Sequence, residues 1–133
     1  MPQMTNKLKN ERGQTMTELA LVFPILVVFV LAIVQFGVAF NNYVTLTDAA
    51  RAAARKGAVS RESSDPRGDC QNAGYAAGGN LKNPGTDFVV NCSSSWSVGS
   101  DVTVTATYPY SISLLGFVVA SGNLNSTMKE RVE

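Results

Sequence analysis

The stretch Leu19-Ala20-Leu21-Val22-Phe23-Pro24-Ile25-Leu26-Val27-Val28-Phe29-Val30-Leu31-Ala32-Ile33-Val34-Gln35-Phe36-Gly37-Val38-Ala39-Phe40 contains one strongly polar side chain, Gln35. As an α-helix its roughly 22 residues rise 33 Å, at 1.5 Å per residue. The hydrocarbon core of a bilayer is about 30 Å thick, so the run predicts a transmembrane helix over about 19–40. The competing reading, a buried helix of a soluble protein, is disfavoured by an apolar run this long and this continuous. A cleaved signal peptide has an apolar core of only about 7–15 residues followed by a small-residue cleavage site. Cleavage among the alanines after Asp48 would also discard the whole apolar helix. Pro24 lies inside the run, where it removes a backbone hydrogen bond and is expected to kink or loosen the first turns. In a membrane, neighbouring helices make that tolerable.

On the N-terminal side, residues 1–13 are polar, and Lys7, Lys9 and Arg12 make them basic against the single Glu11. This segment reads as a disordered or frayed leader. Its charge places it in the cytoplasm by the positive-inside rule. Arg51, Arg55 and Lys56 on the other flank weaken that argument, so the compartment of the cysteines decides between the two orientations. On the C-terminal side the helix is expected to continue past the membrane. Tyr43, Leu46, Ala50, Ala53 and Gly57 fall near one face at helical spacing. Arg55 and Lys56 suit a last turn, and Gly57 suits the position just beyond it. The helix is therefore expected over 14–57, with a slim alanine surface that lets another element pack closely.

Residues 58–85 read as a polar linker and a short helix. Asp65-Pro66 resembles an N-cap followed by a first helical proline, and the helix is expected to run to about Asn80. Asn83-Pro84-Gly85 marks a turn. Residues 86–133 read as antiparallel β. Strands are expected over 87–92, over 101–110 and over 123–133, the second showing the clearest alternation, Val102, Val104, Ala106, Tyr108 and Tyr110 against three threonines. Three strands cannot stand alone, so their apolar face must cover the helix. The expected fold is α+β: a long N-terminal transmembrane helix extending into a small domain, with a short helix and a three-stranded antiparallel sheet packed on it. The apolar segment from Ile112 to Ala120 is too short to span a membrane. It reads either as a patch facing a partner or membrane, or as a core-filling loop.

Composition limits the chemistry. The 133 residues carry a net charge of +1 and no histidine. No basic surface points to nucleic acid, and the commonest general base and metal ligand is missing. Cys70 and Cys92 alone cannot build a four-ligand zinc site. An even cysteine pair in a small domain beyond a membrane segment reads as one disulfide in an oxidising compartment, with two free buried thiols as the alternative. The bridge reading places the domain outside. Gly78-Gly79 follows no strand and fits no phosphate loop. No enzyme, metal or cofactor is expected. Gln35 and Gly37 mark either a helix-packing face or a harmless interruption. Asn125-Ser126-Thr127 fits a glycosylation sequon, a pattern common by chance.

The segment Arg12-Gly13-Gln14-Thr15-Met16-Thr17-Glu18-Leu19-Ala20-Leu21-Val22-Phe23-Pro24 resembles the start of type IV pilin-like precursors. In that superfamily a short basic leader ends in Gly and a dedicated peptidase cuts after it on the cytoplasmic face. The fifth mature residue is typically Glu. The resemblance implies a cut between Gly13 and Gln14, with Glu18 as that fifth residue. Ile33-Val34-Gln35-Phe36-Gly37 and Asp48-Ala49-Ala50-Arg51-Ala52-Ala53-Ala54-Arg55 narrow the likeness to TadE-like pseudopilins of tight-adherence (Flp-type) pili. The closing Met128-Lys129-Glu130-Arg131-Val132-Glu133 also looks like that family's ending. The resemblance implies a structural minor pilin or pseudopilin in the inner or cytoplasmic membrane, or at the cell surface in a pilus. Its implied partners are the membrane, other pilins, the assembly machinery and a prepilin peptidase. A membrane-anchored scaffold of the secretion machine, never incorporated into a filament, is the second reading. Glu18 would pair with the free amine of a processed neighbour in the first reading. The alternative for Glu18 is a solvated charge at the helix start, favoured by the helix dipole.

Overall fold

The computed structural model describes residues 4–133, with side chains from residue 13 onward. Its elements are α1 (Met4–Val59), α2 (Pro66–Ala77), β1 (Val89–Ser93), β2 (Asp101–Leu114) and β3 (Phe117–Arg131). This is the α+β arrangement expected, a long apolar helix, a short helix and a three-stranded antiparallel sheet in the order β1-β2-β3.

α1 begins at Met4, so the backbone expected to fray is helical, while the side chains of Lys7, Lys9 and Arg12 lie outside the described residues. It continues through Pro24, which leaves the carbonyl of Ala20 without its usual N–H partner. It also continues two residues past Gly57. That glycine is not a cap: a Cβ there would sit 2.9 Å from Val102 Cγ1, so its bareness admits the sheet. The helix is stopped by Ser60, whose hydroxyl donates to the Lys56 carbonyl at 2.6 Å and whose N–H donates to the Gly57 carbonyl. The Glu133 N–H donates to the Ala58 carbonyl, tying the chain's last residue to the helix end. These bonds satisfy carbonyls that a helix C-terminus leaves open.

The core lies against the upper third of α1. Leu46, Ala49, Ala50, Ala53, Ala54 and Ala58 are buried there, and Tyr43, expected on the same face, stays exposed. Val90, Cys92, Val102, Val104 and Ala106 supply the facing surface of the sheet. α2 is capped as the sequence indicated: the Asp65 carboxylate accepts from the Gly68 N–H at 3.0 Å, and Pro66 starts the helix. Behind α2, Tyr75 meets Phe88 edge-on with ring centroids 5.3 Å apart. Most of the buried side chains are Ala or Val, so the core is thin.

The sheet departs from expectation at its far end. β2 and β3 each run beyond the strands read from sequence and join through a two-residue turn, Leu115-Gly116. Ile112 to Ala120 is thus not a loop; it is the end of a long hairpin, buried at Ile112 and exposed from Leu115 to Val119. Leu115 and Gly116 have φ of 52° and 87°. Two successive left-handed residues define the turn type whose twist matches paired strands.

Candidate functional site

Three regions carry what the sequence marked. At the start of the apolar run, Gln14 Nε2 donates to Glu18 Oε1 at 3.2 Å across one helical turn, and both side chains are exposed. The Thr17 hydroxyl donates back to the Gly13 carbonyl at 2.9 Å. Gly13, Gln14 and Glu18 therefore share one accessible stretch of continuous helix.

The second region is the span. Among the described residues, α1 alone is long and apolar enough to cross a membrane, and none of its most apolar window is buried. Val22, Phe23, Phe29, Ile33 and Phe36 all project freely. A surface of that kind is stable only under lipid or other apolar helices.

The third region joins span to head. Gln35 Nε2 donates to the Ser113 carbonyl at 3.2 Å. Ala32, Gln35, Ala39 and Asn42 form a half-buried stripe at helical spacing, while the residues between them are exposed. A shallow open crevice bounded by Gln35, Ala39, Asn42, Tyr108 and Ser111 runs where the hairpin lies along the helix. The reading of Gln35 from sequence named helix packing or chance; the partner is a strand edge. Gly37 is open on all sides.

In the head, Cys70 and Cys92 form a disulfide between α2 and β1, with Cα atoms 6.5 Å apart. Both cysteines are fully buried, and Gly57 packs against Cys70. Among the described residues no group of three or more His, Cys, Asp or Glu side chains is assembled to hold a metal. Asn125 is exposed, and the Thr127 hydroxyl of the sequon lies 3.4 Å from that of Thr105 across the strands.

A single N-terminal apolar helix that continues into a small disulfide-bridged α+β head fits a single-pass membrane protein. Residues 13–55, the span and most of α1 beyond it, match the family described as TadE-like protein. That match supports a protein of the tight-adherence pilus system. No curated protein and no solved structure matches the chain.

Proposed function

We propose that the chain is a minor pilin or pseudopilin of a tight-adherence pilus. α1 holds it in the inner or cytoplasmic membrane, with the N-terminus cytoplasmic and the head outside. A prepilin peptidase removes the leader between Gly13 and Gln14, and the subunit then assembles with other pilins through α1 and Glu18. The observation that carries this reading is the exposed apolar surface of α1, none of whose most apolar window is buried by the head. Before extraction lipid covers that surface; in a filament neighbouring helices do so, and no refolding of the subunit is needed between the two. The family match, which begins at Gly13, adds the pilus context.

The second reading, a membrane-anchored scaffold that never enters a filament, draws on the contact of Gln35 with Ser113. There the hairpin occupies a stripe of α1 that close helix packing would otherwise use. Mass spectrometry of the N-terminus in sheared filaments and in membranes separates the two. The pilin reading expects the filament fraction to contain a chain beginning at Gln14. An intact leader in filaments overturns the processing step, and a chain confined to membranes leaves the scaffold.

A further inference from the structure

We infer that the tip of the β2–β3 hairpin is a second membrane contact, dipping into the outer leaflet of the bilayer that α1 spans. The inference rests on α1 being that span. β2 runs antiparallel to α1: Val102 lies against Gly57 near the top of the helix, and Ser113 lies against Gln35 far below. The boundary between apolar run and polar helix falls at Phe40-Asn41. Gln35 lies six positions inside it, about 9 Å deeper at a rise of 1.5 Å per residue. The turn lies beyond Ser113 along the strand and so no shallower. A head that stayed in water would have to end its sheet above Asn41; this one continues below it.

The chemistry of the tip agrees with its depth. Phe117 is 78% exposed and Leu115, Val118 and Val119 project beside it. A two-residue turn with both residues left-handed favours Asn-Gly or Asp-Gly. Here the first position is Leu115, a side chain strained at φ 52° and wrong for water. An irregularity between Ile112 and Ser113 leaves Val119 as the extra residue, adding another outward apolar side chain.

Lipid forbids open backbone groups. β1 pairs only with Thr103–Thr107, so the lower half of β2 has a free edge beside α1. Gln35, the one strongly polar side chain of the span, donates to a carbonyl on that edge, Ser113 O. The polar interruption of the helix and the bare strand edge thus satisfy each other at the depth where water runs out. A shallow position, where amphipathic elements sit about 5–10 Å into the headgroup and acyl boundary, leaves the hairpin's other edge within reach of water.

The test uses the full chain with its disulfide intact, reconstituted into phosphatidylethanolamine–phosphatidylglycerol vesicles. Phe117→Cys is compared with Val98→Cys, which lies in the exposed β1–β2 loop at the other end of the sheet. Flotation with the vesicles establishes the span, and Val98→Cys reports the fraction of heads facing out. An impermeant maleimide is expected to label Phe117→Cys more slowly than Val98→Cys by about tenfold or more, since acyl chains exclude the reagent and disfavour the thiolate. Unfolding the protein in sodium dodecyl sulfate should equalise the rates. A fluorophore on Phe117→Cys should be quenched by acyl-chain spin-labelled lipid, and one on Val98→Cys should not. Equal labelling in floated vesicles overturns the hairpin contact and leaves the span standing. Protection that vanishes on dilution with lipid assigns the tip to a second copy and also overturns it. A chain that fails to float removes both.

Discussion

Gly74 shows two effects of opposite sign meeting at one residue. It sits in the middle of α2, where glycine costs roughly 1 kcal/mol relative to alanine. From sequence it reads as a weakness of the helix, yet a Cβ there would lie 2.9 Å from Val90 Cγ1 and 3.1 Å from Ala53 Cβ. Val90 is held by its branched side chain, and Ala53 can yield only with the backbone of α1. Overpacking of this kind costs about 1–3 kcal/mol, so it should outweigh the gain in propensity. Gly74→Ala is expected to lower stability by about 1 kcal/mol and Tm by several degrees, followed by Trp96 fluorescence in detergent. Gly79→Ala, whose nearest neighbour would be 3.5 Å away, should melt near wild type. Equal melts for both would remove the packing role. Glu18 poses the opposite problem, because within the single chain its carboxylate accepts a hydrogen bond from Gln14 one turn away. A helix-surface pair of this type is worth a few tenths of a kcal/mol and selects nothing. Pairing with a processed neighbour's amine in a low-dielectric setting exceeds the roughly 1 kcal/mol ceiling of exposed pairs. Glu18→Gln keeps the hydrogen bond and removes the charge. Insertion and leader cleavage should be normal, with incorporation into filaments down about fivefold or more, the equivalent of 1 kcal/mol. Wild-type co-purification of the variant with filaments would leave Glu18 a solvated charge.

Among the elements, α2 and β1 are joined by the bridge, which adds to the stability of a head with a thin core. Cys70 and Cys92 are separated by 22 positions, and closing a loop of that size stabilises by about 3 kcal/mol in the chain-entropy model. A core of Ala and Val gives little else to set against chain entropy. Cys70→Ser with Cys92→Ser is expected to lower the stability of the head by about 3 kcal/mol, read as a shifted denaturation midpoint with the slope unchanged. Free alkylatable thiols in protein from its native compartment, or an unshifted midpoint, would show that the bridge has no such role. The long helix, the capped short helix and the alternating strand were legible because each follows from a local period or cap. The ends of the elements were not. Gly57 matched a helix stop, but its purpose is contact with Val102, which sequence spacing does not reveal. The hairpin tip hid for a related reason: Leu115-Gly116 lacks the Asn that usually announces its turn, so the nine residues from Ile112 to Ala120 read as one largely apolar block. Gln35 stood out as an interruption, while its strand partner, 78 positions away, was out of reach of any local pattern.

For the molecule as a whole, orientation is the property that ties these pieces together. The basic leader argues for a cytoplasmic N-terminus, and the second cluster, Arg51, Arg55 and Lys56, blunts that argument in the sequence. The fold changes the weight of the second cluster. Arg51 lies ten positions beyond Asn41, about 15 Å further along the helix, beside the sheet that wraps its upper end. Its charge belongs to a folded head, pairs with Asp48 at 3.6 Å, and tells less about topology than a bare flanking loop would. The disulfide then argues independently for the outside, because thiols in a reducing cytosol stay reduced. The two arguments make a joint prediction. Between α1 and α2 the chain is exposed at Arg61 and again at Arg67 at the start of α2. Trypsin added to intact spheroplasts should therefore cut there, so that an α1 fragment and a head fragment separate on a denaturing gel. The head fragment should still carry the Cys70–Cys92 bridge on non-reducing peptide mapping. A head resistant until the spheroplasts are lysed, with free thiols, would place it in the cytoplasm and sink the outside orientation. Resistance with an intact bridge would overturn the orientation argument from oxidation alone, since the disulfide would then have formed in a compartment where thiols stay reduced.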